Sequence, residues 1–153
     1  MIFHSTVIFV KDIEVSKIFY TRYLGFSIIN DFGNNVMMSN GLSIWEIQKE
    51  HIIAKKLKTN IQSNRFELYF ETDNINEIFN KLNSSGIKFL HNIHEESWGQ
   101  KTIRFFDTDN HLIEIGEQLD IFVKNMSKKG LTPNQISDKS GIPVETVITL
   151  IQK

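Results

Sequence analysis

Apolar and polar positions follow a two-residue period, then a helical period, and then a two-residue period again. Residues 6–10 are β-branched and aromatic, which is typical of a strand. A helix is predicted between a capping Asp12 and a terminating Gly25, because the apolar positions between them recur at helical spacing: Val15, Ile18, Phe19 and Tyr23. Further strands and a hairpin turn complete a β-α-β-β-β module: 26–29, Asn40-Gly41 and 43–47.

The same order of elements returns in the second half of the chain. A strand at 66–70 precedes a segment with one apolar helical face, formed by Ile75, Ile78, Phe79 and Leu82. Asp73 is the expected N-cap and Gly86 the expected helix end, with the same separation as Asp12 and Gly25. Three more strands are predicted at 87–90, 102–106 and 111–115. We interpret the two halves as an internal duplication of one module.

Residues 118–153 depart from this pattern and predict helices. Thr132-Pro133-Asn134-Gln135 is a capping box with proline at the first helical position, and a last helix is predicted at 143–152 after Gly141. The pair resembles a helix-turn-helix, but the last helix carries Glu145 and no basic residue. Because phosphate binding needs basic side chains, we expect this extension to pack on the sheet or on a partner subunit rather than bind nucleic acid.

Composition and charge narrow the class of protein. Of 153 residues, 41% are hydrophobic and 23% are charged, and the formal net charge is -1. This balance argues against a chain built to bind nucleic acid or an anionic membrane. Cysteine is absent, which excludes disulfides, zinc fingers and thiol catalysis. No apolar run approaches the length of a membrane helix and the start lacks a basic signal-peptide region, so we expect a cytoplasmic location.

Two stretches, together with the paired modules, carry a resemblance to a known family. They are Val10-Lys11-Asp12-Ile13-Glu14 through Leu24-Gly25-Phe26, and Trp98-Gly99-Gln100 through Asp107-Thr108-Asp109-Asn110-His111 to Glu114. The chain resembles the vicinal oxygen chelate superfamily, which contains glyoxalase I, fosfomycin-modifying enzymes, extradiol dioxygenases and bleomycin resistance proteins. The resemblance implies an α+β fold in which two β-α-β-β-β modules form a cupped mixed sheet, plus a C-terminal helical tail. The expected domain covers residues 1–117, with modules at about 3–50 and 65–117, and the extension covers 118–153.

The resemblance also implies where a metal would bind. Carried over to this sequence, the family's ligand positions are Ser5, Glu46, Glu67 and Glu114. The three glutamates would form an all-oxygen set, which favours Mg²⁺ or Mn²⁺, with Ni²⁺ and Zn²⁺ as further candidates. Carboxylates this close raise one another's pKa. They need neutralisation by a divalent metal, by Arg104 or Lys101, or by a cationic ligand.

Alternation along the strands indicates which side chains face a common cavity. Glu67 and Tyr69 share one face of their predicted strand. We predict that the substrate is bound by Ser5, Tyr69, Trp98, Gln100 and Arg104. Three further candidates are expected to have no role in binding. Trp45 is expected in the core, His91 and His94 in an exposed loop, and His111 in a structural turn.

Two functions follow from the resemblance. The first is a metal-assisted lyase or isomerase of a small molecule, in which Glu46, Glu67 and Glu114 bind the metal. Glu67 or Glu114 would then be the catalytic proton-transfer base. The alternative is a metal-free protein similar to bleomycin resistance proteins, which sequesters a cationic or aromatic compound with Trp98, Tyr69 and the acidic residues. Glu46 and Glu114 match the family's glutamate pattern, which favours the first function. Ser5 and Glu67 stand where the family usually has a histidine, which favours the second. The resemblance also implies a homodimer.

Overall fold

The computed structural model describes residues 4–51, 54–55 and 67–152. The chain forms two compact units. The first comprises Met1–Arg65 and Asp107–His111, and the second comprises Phe66–Phe106 and Leu112–Lys153.

The first unit contains a four-stranded mixed sheet and an α-helix that follows its first strand. Its elements are β1 (Thr6–Phe9), α1 (Ile13–Leu24), β2 (Ile28–Asp31), β3 (Asn35–Met38) and β4 (Leu42–Trp45). The strand order is β1-β4-β3-β2, with β1 parallel to β4 and the other pairs antiparallel. Its most deeply buried apolar side chains include Ile8, Phe19, Tyr20, Val36 and Ile44.

Helix α1 begins and ends at the two capping residues that were predicted from the sequence, Asp12 and Gly25. The Asp12 carboxylate accepts a hydrogen bond from the Val15 amide at 3.0 Å, and Gly25 ends the helix with φ 70°. Asn40 and Gly41, with φ 62° and 76°, form the predicted turn before β4. These positive angles favour asparagine and glycine because a larger Cβ substituent is strained there.

The second unit repeats this arrangement. Its elements are β5 (Leu68–Thr72), α2 (Ile75–Ser84), β6 (Phe89–Glu95), β7 (Lys101–Phe106) and β8 (Leu112–Glu117). The strand order is β5-β8-β7-β6, and β5 is parallel to β8. The same order in both sheets confirms the predicted α+β fold of two β-α-β-β-β modules.

Two local predictions in this unit are wrong. The N-cap of α2 is Asn74 rather than Asp73, and its side chain accepts from the Glu77 amide at 3.2 Å. His91 and His94 lie in β6, not in a loop, because that strand pairs with β7 along its full length. Two register shifts within β6 interrupt the regular alternation that sequence reasoning depends on.

The C-terminal tail adds three helices to the second unit: α3 (Leu119–Lys128), α4 (Pro133–Ser140) and α5 (Val144–Gln152). They share an apolar cluster formed by Phe122, Val123, Met126, Ile136 and Val147. Burial of each such side chain contributes roughly 1.5–3 kcal/mol. The predicted capping box between Thr132 and Gln135 is present, and Gly141 turns the chain with φ 75°. Within the described ranges, no helix is both long and apolar enough to cross a bilayer.

A buried carboxylate organises the loop at residues 107–111 of the first unit. Asp107 Oδ2 accepts a hydrogen bond from the Tyr20 hydroxyl at 2.9 Å and lies 2.7 Å from His111 Nδ1. Asp107 Oδ1 accepts from the amides of Asp109 and His111. Burial opposes the charge of both partners. Their mutual hydrogen bond and attraction nevertheless raise the pKa of His111 and lower the pKa of Asp107.

This pair predicts a definite pH dependence of stability. The raised pKa of His111 means that its contribution is present below about pH 6.5 and is lost as pH rises through the folded-state value. The lowered pKa of Asp107 means that its contribution is present above about pH 4 and is lost as pH falls through its folded-state value. We expect the free energy of unfolding to fall by about 1–2 kcal/mol between pH 6 and pH 9.

Urea denaturation at both pH values checks this expectation. His111→Asn should be less stable than the wild type at pH 6 and should lose most of the decline toward pH 9. His4→Asn, which changes an exposed histidine of the same unit, is the control. An unchanged pH dependence in His111→Asn would contradict the assignment.

Candidate ligand-binding site

One face of the second sheet is polar and the opposite face is apolar. Tyr69, Glu114, Arg104 and His91 are successive register partners across β5, β8, β7 and β6. Their side chains therefore share a face. The opposite face is buried and contains Ile103, Phe105, Ile113 and Ile115. Ring contacts from Phe105 to Phe89 and from Phe89 to Phe79 connect this apolar face to α2.

Arg104 lies among three carboxylates on the polar face. Its Nε is 3.3 Å from Glu67 Oε2, its Nη1 is 2.7 Å from Glu96 Oε1, and its Nη2 forms an ion pair with Glu114 Oε2. His91 Nε2 lies 3.2 Å from Arg104 Nη1. We call Arg104 with Glu67, Glu96 and Glu114 the arginine cluster. For Glu67 and Glu114, though not for Glu46, one of the predicted ways of neutralising the glutamates is therefore present, namely pairing with Arg104.

The carboxylates of the arginine cluster differ in their environment. The Glu114 side chain is only 6% exposed. Its burial, together with the charges of Glu67 and Glu96, raises its pKa despite the attraction of Arg104. A hydrogen bond from Arg104 lowers the pKa of Glu96. When all four groups are ionised, three carboxylates and one guanidinium leave an excess of negative charge.

A hydrogen-bonded network adjoins the arginine cluster. Trp98 Nε1 donates to Gln100 Oε1 at 3.0 Å. The Gln100 amide nitrogen donates to the Tyr69 hydroxyl at 3.0 Å and to the Glu117 carbonyl oxygen at 2.7 Å. Tyr69 in turn donates to Glu71 Oε1 at 3.1 Å. The network fixes the polar ends of Trp98 and Tyr69, whereas their residues remain 37% and 49% exposed.

Gly116 makes this network sterically feasible. A Cβ atom at this position would lie 2.6 Å from Gln100 Nε2 and 3.1 Å from the Tyr69 hydroxyl. Gly116 is the register partner of both Glu71 and Thr102 on the polar face. The absence of a side chain therefore lets Gln100 reach Tyr69.

The other two predicted ligand positions lie in the first unit. The Glu46 carboxylate accepts a hydrogen bond from the Ile13 amide at 2.9 Å, at the N-terminus of α1. Such a position stabilises negative charge because the first amides of a helix lack internal partners. Ser5 precedes β1 and is half-buried. Trp45, expected in the core, is half-buried against Phe9 and His51.

The donor set of the second unit does not fit a divalent metal as it stands. Glu67 and Glu114 are paired with Arg104, and a divalent cation among them would meet the guanidinium charge. Among the described residues, no group of three histidine, aspartate or glutamate side chains is placed to hold a metal ion. The assignment of Glu46, Glu67 and Glu114 as metal ligands stays a prediction.

Sequence reasoning missed two members of this site. Glu96 and His91 both contact Arg104. From the sequence, Glu96 has no predicted role and His91 is expected in an exposed loop. Glu96 lies in the loop after β6, and loop geometry has no periodic signal in sequence. His91 was missed because its strand was assigned too short.

Comparison with known proteins defines the class to which this fold belongs. A family model described as a glyoxalase-like domain matches residues 3–120. The chain therefore belongs to the glyoxalase-like domain family, and the resemblance to the vicinal oxygen chelate superfamily is confirmed. Among proteins with curated functions, none matches this chain.

Solved structures are consistent with this membership. A protein of unknown function from Agrobacterium tumefaciens is 33% identical, with a TM-score of 0.65, and the match covers 78% of this chain and 95% of that one. A glyoxalase/bleomycin resistance protein/dioxygenase family enzyme from Burkholderia phytofirmans is 17% identical, with a TM-score of 0.64 and coverage of 76% and 98%. A fosfomycin resistance protein from Listeria monocytogenes is 16% identical, with a TM-score of 0.57 and coverage of 74% and 89%. The last two likenesses show the fold alone.

The close packing at Gly116 gives a testable prediction. Gly116→Ala should destabilise the protein by about 1–3 kcal/mol, because the added methyl group displaces the Gln100 amide from its partners. The same substitution in a Gln100→Ala background should cost less, since the shortest contact, to the Gln100 amide nitrogen, is then removed. Urea denaturation of the four proteins in this double-mutant cycle measures the coupling. Equal costs in both backgrounds would contradict the predicted clash.

Proposed function

We propose that the polar face of the second sheet binds a small organic cation with an aromatic group and does so without a metal. The protein would then sequester its ligand, as the metal-free alternative expects. The arginine cluster is the observation that carries this proposal. Within it, Arg104 compensates the buried Glu114 and the half-buried Glu96, and the cluster still leaves negative charge for a ligand.

The charge of the cluster favours a monovalent organic cation over a divalent metal. Glu67 is the most exposed of the three carboxylates, with its side chain 36% exposed. A cation can approach it without displacing Arg104 from Glu96 and Glu114. Two opposite unit charges 4 Å apart attract by about 4 kcal/mol at the effective dielectric of a protein surface. Solvent screening reduces the net gain for such an exposed pair to about 1 kcal/mol or less.

Aromatic side chains supply the second part of the proposed recognition. Tyr69 and Trp98 are both partly exposed, and both are hydrogen-bonded through Gln100. A cation over an aromatic ring gains roughly 0.5–2 kcal/mol, and most from tryptophan. Because Gln100 restricts both polar ends, little side-chain freedom is lost on binding.

A metal-assisted lyase or isomerase is the second candidate function. The buried Glu114 favours it, since a carboxyl group with a raised pKa suits a general base. The ion pairs to Arg104 oppose it, because they occupy the carboxylates that a metal would need.

We also propose that the protein is a homodimer, as the resemblance implies. Sedimentation velocity tests this proposal.

Calorimetric titration with proflavine, a cationic aromatic dye, tests the leading proposal. We expect stoichiometric binding that weakens with added salt, and no comparable binding of the anionic dye 8-anilinonaphthalene-1-sulfonate. Glu67→Gln should weaken proflavine binding about two- to fivefold, because one contacting charge worth about 1 kcal/mol or less is removed. Glu145→Gln in α5 makes the same change of net charge and should have no effect.

Failure to bind proflavine, or equal binding by Glu67→Gln, would contradict the proposal. Titration of the chelator-stripped protein with Mn²⁺ separates the two candidates. Stoichiometric Mn²⁺ binding that is lost in both Glu67→Gln and Glu114→Gln would support the metal-assisted enzyme instead.

A further inference from the structure

The first C-terminal helix, α3, contacts the segment that carries Trp98 and Gln100. This segment, residues 96–100, connects β6 to β7 and is closed by backbone hydrogen bonds between Glu96 and Gln100 and between Gly99 and Glu96. We call it the tryptophan loop. Helix α3 begins two residues after β8 ends, so the tail starts beside the site.

Glu117 connects the tryptophan loop to α3. Its carbonyl oxygen accepts from Gln100 Nε2, and its carboxylate Oε2 accepts from the Lys101 amide at 3.0 Å. Its other carboxylate oxygen, Oε1, accepts from Asn125 Nδ2 of α3 at 3.0 Å. Glu117 is only 4% exposed. A carboxylate so buried needs these donors, because an unsatisfied charge is costly away from water.

Met126 supports the same loop from the next position of α3. A Cβ atom on Gly99 would lie 2.5 Å from Met126 Sδ, and Met126 is 1% exposed. Gly99 also has φ 99°, which other residues rarely adopt. The chain between Trp98 and Gln100 therefore lies directly against α3.

Two exposed ion pairs also join the tail to the sheet. Lys129 and Lys139 both contact Glu95, at 2.7 Å and 3.2 Å. All three side chains are at least 36% exposed, so solvent screens these pairs. The contacts of the half-buried Asn125 and the buried Met126 are the ones that can determine the geometry of the loop.

We propose that Asn125 and Met126 are positioning residues, through which the tail fixes Trp98 and Gln100 for ligand binding. Asn125 acts through Glu117, and Met126 acts through Gly99. The tail is thus part of the site although neither side chain is assigned a contact with the ligand. This inference rests on the proposed function, since it concerns affinity at the same site.

An isosteric variant tests the role of Asn125. Asn125→Asp keeps the shape of the side chain but replaces a donor to Glu117 with a second carboxylate. A Trp45→Phe background leaves Trp98 as the sole tryptophan, so its emission and its quenching by acrylamide report on the loop. We expect a red-shifted emission, faster quenching and roughly tenfold weaker proflavine binding, since a hydrogen bond to a charged group is lost.

Two further variants distinguish positioning from a general loss of stability. Asn134→Asp adds the same charge at an exposed position of α4 and should leave emission and binding unchanged. Combining Asn125→Asp with Glu117→Gln reverses donor and acceptor across the contact. This double variant should recover both the emission of Trp98 and the affinity for proflavine.

The outcomes separate this inference from the proposed function. Unchanged Trp98 emission in Asn125→Asp, an equal change in Asn134→Asp, or no recovery in the double variant would each overturn the positioning role. If the wild type does not bind proflavine but the emission changes and recovers as expected, the proposed ligand is wrong and the positioning role stands.

Discussion

The candidate site depends on the ion pairs that the Arg104 guanidinium group forms with three carboxylates. Arg104 lies in β7, and its partners are Glu67 before β5, Glu114 in β8 and Glu96 in the loop after β6. Glu114 is buried and is repelled by Glu67 and Glu96, so it could not remain in the sheet as an ion without a compensating charge. In the function that we propose, the same pairing opposes a divalent metal and favours a larger, singly charged ligand at the exposed edge of the cluster.

The second unit brings three kinds of interaction together around this charge. The arginine cluster supplies electrostatic attraction, and Tyr69 and Trp98 supply aromatic surface. Gln100 connects the two aromatic residues, and it can do so only because Gly116 has no side chain. The tail completes the arrangement because Glu117 accepts hydrogen bonds from both the sheet and α3. The charged cluster, the aromatic side chains and the helix α3 that contacts their loop thus all lie in the second unit.

Most of the fold could be predicted from sequence, but only part of the site could. Alternation and capping signals located both modules, and strand alternation placed Glu67 with Tyr69 on a polar face. Asp73 was preferred over Asn74 as a cap because sequence alone cannot distinguish adjacent capping residues. Two partners of Arg104 could not be predicted from periodicity. Glu96 lies in a loop, and His91 lies in a strand whose pairing has register shifts.

The most direct measurement is a carboxyl NMR titration of glutamates in the wild type and in Arg104→Met. We predict that Glu96 titrates below, and Glu114 above, the ordinary pKa of a glutamate. Removal of the guanidinium should raise the pKa of both, because the charge that favours their ionised forms is lost. Unshifted wild-type values, or values that do not respond to Arg104→Met, would contradict the arginine cluster as the basis of the site.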